Sequence, residues 1–397
     1  MPPSSPSASS PPETLPTTFD VAALRRDEFP WTDETTYLNN ASIGPLPERT
    51  RLALEAFNRR RATPFRLPDR DLFATLVESR RMIAELLSAT PQEIALTVNT
   101  SFGLGVVARA LPLRAGDVVL VSDREFPANV YPWLRLRETG IEVELVPTTP
   151  GGWPDEARLL ERLEDPRVRA LAVSLVQFSN GYRADLAAIS AATRRTGAFL
   201  VVDAIQAVGQ IPVDLGRTPV DVLACGGQKW LLSPWGSGFM YVRRELIASL
   251  SPTVTGWMAF EGTDDFTRLT TYNDTLRADA RRFELITLPY QDFAGMNASL
   301  GLVLELGVDR IQAHLQGLHA PVIAWAERMG ARVVSPQGSQ GSGILCLAPE
   351  DVGESFRRLK AARIICSLRE GAIRLSPHAY NTVEEMERVV SVLDGRA

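Results

Sequence analysis

Seven short apolar runs, each bounded by turn residues, punctuate the chain between residues 93 and 242. They are Glu93 to Val98, Val118 to Ser122, Val143 to Val146, Ala170 to Val176, Phe199 to Val202, Val220 to Ala224 and Phe239 to Val242. Runs of this length, rich in Val, Leu and Ala, read as strands. Helical spacing, with apolar residues three and four apart, fills the gaps: Gly103 to Leu111, a helix opened by Glu125 to Asn129 and containing Trp133, Pro154 to Leu163, and Leu186 to Arg195. Repeated βα units with short connections predict a largely parallel, seven-stranded sheet between helices, an α/β fold. Ligands bind such sheets beyond the carboxyl ends of the strands. Asn99, Glu125, Gln177, Asp203 and Gly226 all fall at those ends, so residues far apart in sequence should converge on one rim.

The most conspicuous residue on that rim is Lys229, in Cys225-Gly226-Gly227-Gln228-Lys229-Trp230. The chain has forty arginines and only two lysines, Lys229 and Lys360. Arginine keeps its proton in any protein setting, whereas a desolvated lysine can lose it and attack a carbonyl. A lysine in an otherwise uncharged stretch is therefore a chemical candidate, although chance alone also places two lysines somewhere.

Outside the sheet the chain reads as follows. Met1 to Thr18 is Pro/Ser-rich without a hydrophobic run, so it is expected to be a disordered tail rather than a signal peptide. Residues 19–35 form an N-terminal segment, with a short helix over Phe19 to Phe29, expected to pack with the C-terminal region. The large domain is placed at 36–255 and a smaller α+β domain at 256–397. Tyr37 to Pro45 is turn chemistry, and Pro47 to Arg61 and Leu72 to Leu87 are helical in period. Helices are expected at Phe293 to Glu305, Gly307 to Leu318, Pro321 to Met329, Glu354 to Ala362 and Val383 to Leu393, and strands at Arg332 to Val334, Gly343 to Leu347 and Ala372 to Leu375. A net charge of -5 offers no basic footprint for nucleic acid and no polybasic membrane patch. Three cysteines and three histidines form no metal-ligand spacing, and no apolar run reaches membrane-spanning length. A cytoplasmic enzyme is the expectation.

The chemistry follows from three features. Asp203 ends a buried strand, where a carboxylate needs a cation, and no Arg or Lys adjoins it in sequence. A protonated heteroaromatic nitrogen would serve. Lys229 can form a Schiff base with an aldehyde. The strand-to-helix turn at Asn99-Thr100-Ser101 offers free N–H groups to a phosphate, although an ordinary helix cap needs the same residues. Aldehyde, ring nitrogen and phosphate together describe pyridoxal 5'-phosphate (PLP). A rival is Gly103-Leu104-Gly105-Val106-Val107-Ala108, which matches the GxGxxA of NAD-binding oxidoreductases; three polar residues separate it from its strand, so the match is weak.

On Tyr37 to Gly44, Val201 to Gln206, Gln228 to Gly238, Arg374-Leu375-Ser376-Pro377-His378 and Asn381-Thr382, the sequence resembles the class V aminotransferases. These are fold-type I PLP enzymes that include cysteine desulfurases, isopenicillin N epimerase-like proteins and kynureninase. The resemblance covers nearly everything after the tail. It implies that Lys229 carries the cofactor and moves the α-proton, that Asp203 pairs with the ring nitrogen, and that Gln206 touches the ring hydroxyl. Thr100, Ser101 and Gln228 would hold the phosphate, with Thr287 reaching it from the other subunit of a homodimer. Phe126 would stack on the ring and Arg374 clamp the substrate α-carboxylate, with Asn39, Ser42 and Asn180 in the same pocket.

Two departures bear on the reaction. Phe126 stands where desulfurases carry a proton-shuttling histidine. Cys366 lies in Arg363-Ile364-Ile365-Cys366-Ser367-Leu368, which reads as a strand rather than as the loop that carries a nucleophilic cysteine. The expected reaction is therefore transamination of an α-amino acid, with C–S or C–Se elimination and epimerisation as alternatives. His378 is left unassigned.

Overall fold

The computed structural model describes residues 19–396; the expected tail at 1–18 lies outside the described residues. Thirteen strands are numbered here in chain order: β1 (Thr36–Tyr37), β2 (Ile94–Thr97), β3 (Val118–Ser122), β4 (Glu142–Val146), β5 (Val168–Ser174), β6 (Phe199–Asp203), β7 (Val222–Gly226), β8 (Gly238–Val242), β9 (Arg332–Val333), β10 (Leu345–Ala348), β11 (Ile364–Ile365), β12 (Ser367–Arg369) and β13 (Ala372–Leu375). Seven of them form one sheet in the order β2-β8-β7-β6-β5-β3-β4. All run parallel except β8, which is antiparallel to both neighbours.

Burial explains the sequence pattern. β3, β6, β7 and β8 are covered on both faces by helices, so their sequences are continuously apolar. β4 lies at one edge and keeps exposed Glu142 and partly exposed Glu144 on either side of buried Val143, a charged edge that resists pairing with another strand. The opposite edge, β2, is wholly buried. The Glu284 carboxylate accepts the free amide of Leu96 at 2.8 Å and is itself held by the buried Arg80 guanidinium at 2.7 Å.

Pairing register fixes the rim. Asp203 on β6 is level with Ser174 on β5 and Ala224 on β7, while Gly226 and Thr97 both face Gly238. Helix Thr100–Ala110 then starts directly beyond β2, with Asn99 capping it through the amide of Phe102. The GxGxxA motif therefore lies inside this helix. A Cβ on Gly103 would sit 3.0 Å from the Cβ of Ala224, so this glycine lets helix and sheet approach closely and forms no nucleotide turn.

A second sheet, β12-β13-β10-β9, is antiparallel, and β1 pairs in parallel with β11. Residues 19–35 meet the C-terminal region: Arg25 donates to the Tyr380 carbonyl at 3.0 Å and Phe29 packs against the Tyr380 ring. Two expectations need correction. Residues 307–329 form one helix, Val308–Met329, with Pro321 inside it. The missing amide costs about 3 kcal/mol, which burial of Leu315, Leu318, Val322 and Trp325 outweighs. The strand expected over 363–368 is two strands in different sheets, with Cys366 buried at the joint.

Candidate active site

Lys229 follows β7 in a tight turn that three contacts hold. Gly227 donates to Ser237 O at 2.8 Å, Ser233 donates to Gly227 O at 2.9 Å, and Gly44 donates to Gln228 O at 2.8 Å. A Cβ on Gly44 would run into the carbonyl oxygen of Lys229, so the early loop can close over the lysine only with glycine at this position. The Lys229 side chain is buried without any carboxylate within ion-pairing distance among the described residues. Burial pushes its ammonium down to about 8, with Arg374 and Arg369 adding repulsion and Asp203 opposing. Its Nζ lies 5.5 Å from the centre of the Phe126 ring.

Asp203 is the complementary case. It is 2% exposed and accepts one neutral hydrogen bond, from the Ile205 amide at 3.0 Å. Burial pushes its carboxyl up to about 6, against the pull of that amide and of Lys229. It forms no ion pair with any described cation. Glu125, close enough to repel it, accepts from the Ser174 amide, the Ser174 hydroxyl and Gln177 Nε2, and burial lifts it to about 7.

The remaining expected residues divide into three groups. Thr100 and Ser101 open the helix beyond β2, where the first amides have no partner within the helix. The Thr100 hydroxyl also accepts the Gly226 amide at 2.8 Å, tying this turn to that of Lys229. Gln206 is buried, donates to Ala41 O and accepts from Trp230 Nε1, both at 2.8 Å. Gln228 is half-buried on the same turn. Phe126 is 42% exposed and meets Phe178 edge-on, a large aromatic face left open beside a buried amine.

Arg374 lies on β13, 1% exposed, donating to Phe178 O at 2.6 Å and to Ser42 Oγ at 2.7 Å, with its Nε unpaired. No described carboxylate neutralises it. Burial and the neighbouring Arg369 weigh against its charge, which a guanidinium nevertheless keeps. Asn39 bridges to Ser376 and leaves its Oδ1 buried without a partner. Two residues stand apart. The Asn180 side chain is committed elsewhere, donating to Gly152 O in the loop after β4 and accepting the Tyr182 amide, and Thr287 is exposed.

Two contributors were not assigned from the sequence. His378 is fully buried, with Nδ1 accepting the Ala379 amide at 2.8 Å and Nε2 3.0 Å from Trp230 O. That pairing makes Nε2 the protonated nitrogen of a neutral ring, which burial holds at about 4. It braces the Lys229-Trp230 turn from the C-terminal segment. Arg369 on β12 reaches Ser42 Oγ at 3.3 Å. The sequence signal for it was the Glu370-Gly371 pair, a two-residue hairpin turn with φ of 45° and 77°. That turn sets Ser367 opposite Arg374 and Arg369 opposite Ala372, which puts both arginines on one face.

The residues present fit PLP: a buried carboxylate without a cation, an unpaired buried amine, an uncovered aromatic face and a helix start lie together on one rim. Comparison with known proteins points the same way. The sequence model described as Aminotransferase class-V matches residues 37–389. The uncharacterized aminotransferase YcbU of Bacillus subtilis is 32% identical over 79% of this chain and 81% of its own length. A probable cysteine desulfurase of Methanothermobacter thermautotrophicus is 31% identical over 94% of this chain and 96% of its own. Among solved structures, the apo cysteine desulfurase of Thermococcus onnurineus superposes with a TM-score of 0.84 over 94% of this chain and 97% of that one; at 22% identity it shows the fold.

Proposed function

This chain belongs to the class V aminotransferase family of PLP-dependent enzymes, and from that premise we propose that it transaminates an α-amino acid, with Lys229 as the base that moves the α-proton. The observation that carries this reading is one buried, unpaired amine held between an uncompensated carboxylate, Asp203, and an uncompensated guanidinium, Arg374. PLP supplies an aldehyde and a ring that draws electrons from the substrate Cα.

The chain's own residues divide the remaining work. Asp203 holds a proton on the ring nitrogen, which keeps the ring electron-poor. The first amides of the helix at Thr100 and Ser101, with Gln228, hold the phosphate. Phe126 covers one ring face and keeps water from it. Arg374 takes the substrate carboxylate through two parallel N–H groups, and Ser42 orients that guanidinium. With an ammonium at about 8, Lys229 is balanced to take and return a proton near neutral pH.

Sulfur transfer to a protein cysteine is disfavoured. Cys366 is packed between β11 and β12, and burial pushes its thiol up to about 12. Elimination or epimerisation would share the first proton transfer and differ in product. The assembly we infer is a homodimer, in which exposed Thr287 reaches the partner's phosphate. Trp235, 70% exposed and close in sequence to Lys229, and exposed Trp257 supply apolar contact. No described helix is long and apolar enough to cross a membrane, and we place the enzyme in the cytoplasm.

The test is an amino-acid panel on holoenzyme with absorbance and product analysis. A keto acid with bound pyridoxamine phosphate supports transamination. Sulfide or alanine from a sulfur amino acid, or inverted substrate without keto acid, would replace it by lyase or epimerase.

A further inference from the structure

Many arginines of this chain pair with carboxylates, several of them bidentately. Arg369 and Arg374, side by side on one face of the hairpin, do not. Both donate to one atom, Ser42 Oγ, at 3.3 and 2.7 Å, and neither pairs with a described carboxylate. Their other contacts are neutral: Arg369 donates to Leu368 O and Arg374 to Phe178 O. Accepting from both, the serine hydroxyl keeps its own proton free to donate.

Two like charges on one hydroxyl repel each other, and each also repels Lys229. Asp203, the rim carboxylate that acts on Lys229, is assigned above to the ring nitrogen. An amino acid bound through one α-carboxylate compensates one guanidinium and leaves the other. A second anionic group on the same molecule removes the imbalance. We propose that the substrate is an α-amino acid whose side chain carries a second carboxylate, with Arg374 holding the α-carboxylate and the half-buried Arg369 beside it holding the distal one. This rests on the functional reading above and narrows its substrate class. Arg369 is thus a specificity-determining residue.

The experiment compares matched pairs that differ only in that charge. With holoenzyme, glutamate, aspartate and 2-aminoadipate are set against glutamine and asparagine. The expected result is at least a tenfold higher kcat/KM for acid over amide, and Arg369→Gln should bring that ratio close to one. Glutarate and glutaramate, which lack an amino group, are read by the shift in melting temperature. Glutarate should stabilise the protein more, and Arg369→Gln should remove the difference.

Equal preference for acid and amide in both assays overturns the proposal, as does an Arg369→Gln variant that weakens both members of each pair equally, which would mean that both arginines hold one carboxylate. If no amino acid reacts yet glutarate still binds through Arg369, the catalytic reading fails and the recognition reading stands.

Discussion

The rim of the large sheet and the β12–β13 hairpin present opposite electrostatic problems. On the rim, the Asp203 carboxylate is fully enclosed with one neutral donor and is pushed toward its protonated form. On the hairpin, Arg374 is as deeply enclosed without an anion and has a second guanidinium beside it. By contrast, Arg80 and Glu284 meet bidentately in the interior, so that each enclosed charge has its counter-ion. The contrast teaches that the two regions are halves of one recognition problem. In the proposed reading a ring cation answers the rim, substrate anions answer the hairpin, and Lys229 feels the charges of both.

The sharpest break in this comparison is Lys229→Ala. Removing the amine between the halves should lower turnover at least about 10³-fold, within the range for losing an acid–base group, and should abolish covalent attachment of PLP on borohydride reduction. Carboxylates should still stabilise the variant through the hairpin. Covalent attachment of PLP to the variant on borohydride reduction would mean that another amine carries the cofactor.

Asp203 comes next. Its folded carboxyl lies above the ordinary value, so its contribution to stability is fully present in acid and is lost as pH rises through about 6. A ring cation cancels that loss. The melting-temperature gain on adding PLP should therefore be larger at pH 7.5 than at pH 5, and Asp203→Asn should flatten the difference. The same variant should lose about 10²–10³-fold in turnover, as for one preorganised electrostatic partner. A pH-independent gain in the native protein would separate Asp203 from the ring.

Arg374→Gln should weaken amino-acid binding by about 2–5 kcal/mol, the usual range for one partner of an enclosed charge pair, while leaving PLP retention intact. Loss of the cofactor instead would merge the two halves. Smallest is Ser42→Ala, about 1 kcal/mol for one hydrogen-bond acceptor, read as a higher KM with little change in kcat. A free-amine titration sharpens the picture further: in PLP-free protein, modification of Lys229 by an amine-directed reagent should rise with pH around a midpoint near 8.

Much of this was legible in the sequence because the central strands are enclosed on both faces. That condition forces unbroken apolar runs such as Leu200-Val201-Val202, and such runs end where the chain meets the rim. Asp203 and Lys229 stand out because an ionisable residue next to such a run is chemically expensive. The smaller sheet was harder to read. Its strands are two to four residues long, too short for a period to emerge, so β11 and β12 merged into one and the hairpin turn at Glu370-Gly371 went unread. Without that turn, Arg369 had no face, and its partnership with Arg374 was invisible. Pro321 misled for another reason: local propensity marks a break, and packing of the surrounding Leu and Trp side chains overrules it.

The closeness of Gly44 to the Lys229 carbonyl has a consequence for biosynthesis. The loop that carries Gly44 is anchored by β1 on β11 and by Asn40 on Ser376. On the ribosome, the segment that covers the lysine turn emerges among the first and its anchors among the last. The parallel sheet can form early, but the pocket stays open until synthesis is nearly complete. Nascent chains stopped before about residue 364 should thus carry the reactive amine without the means to retain the vitamin.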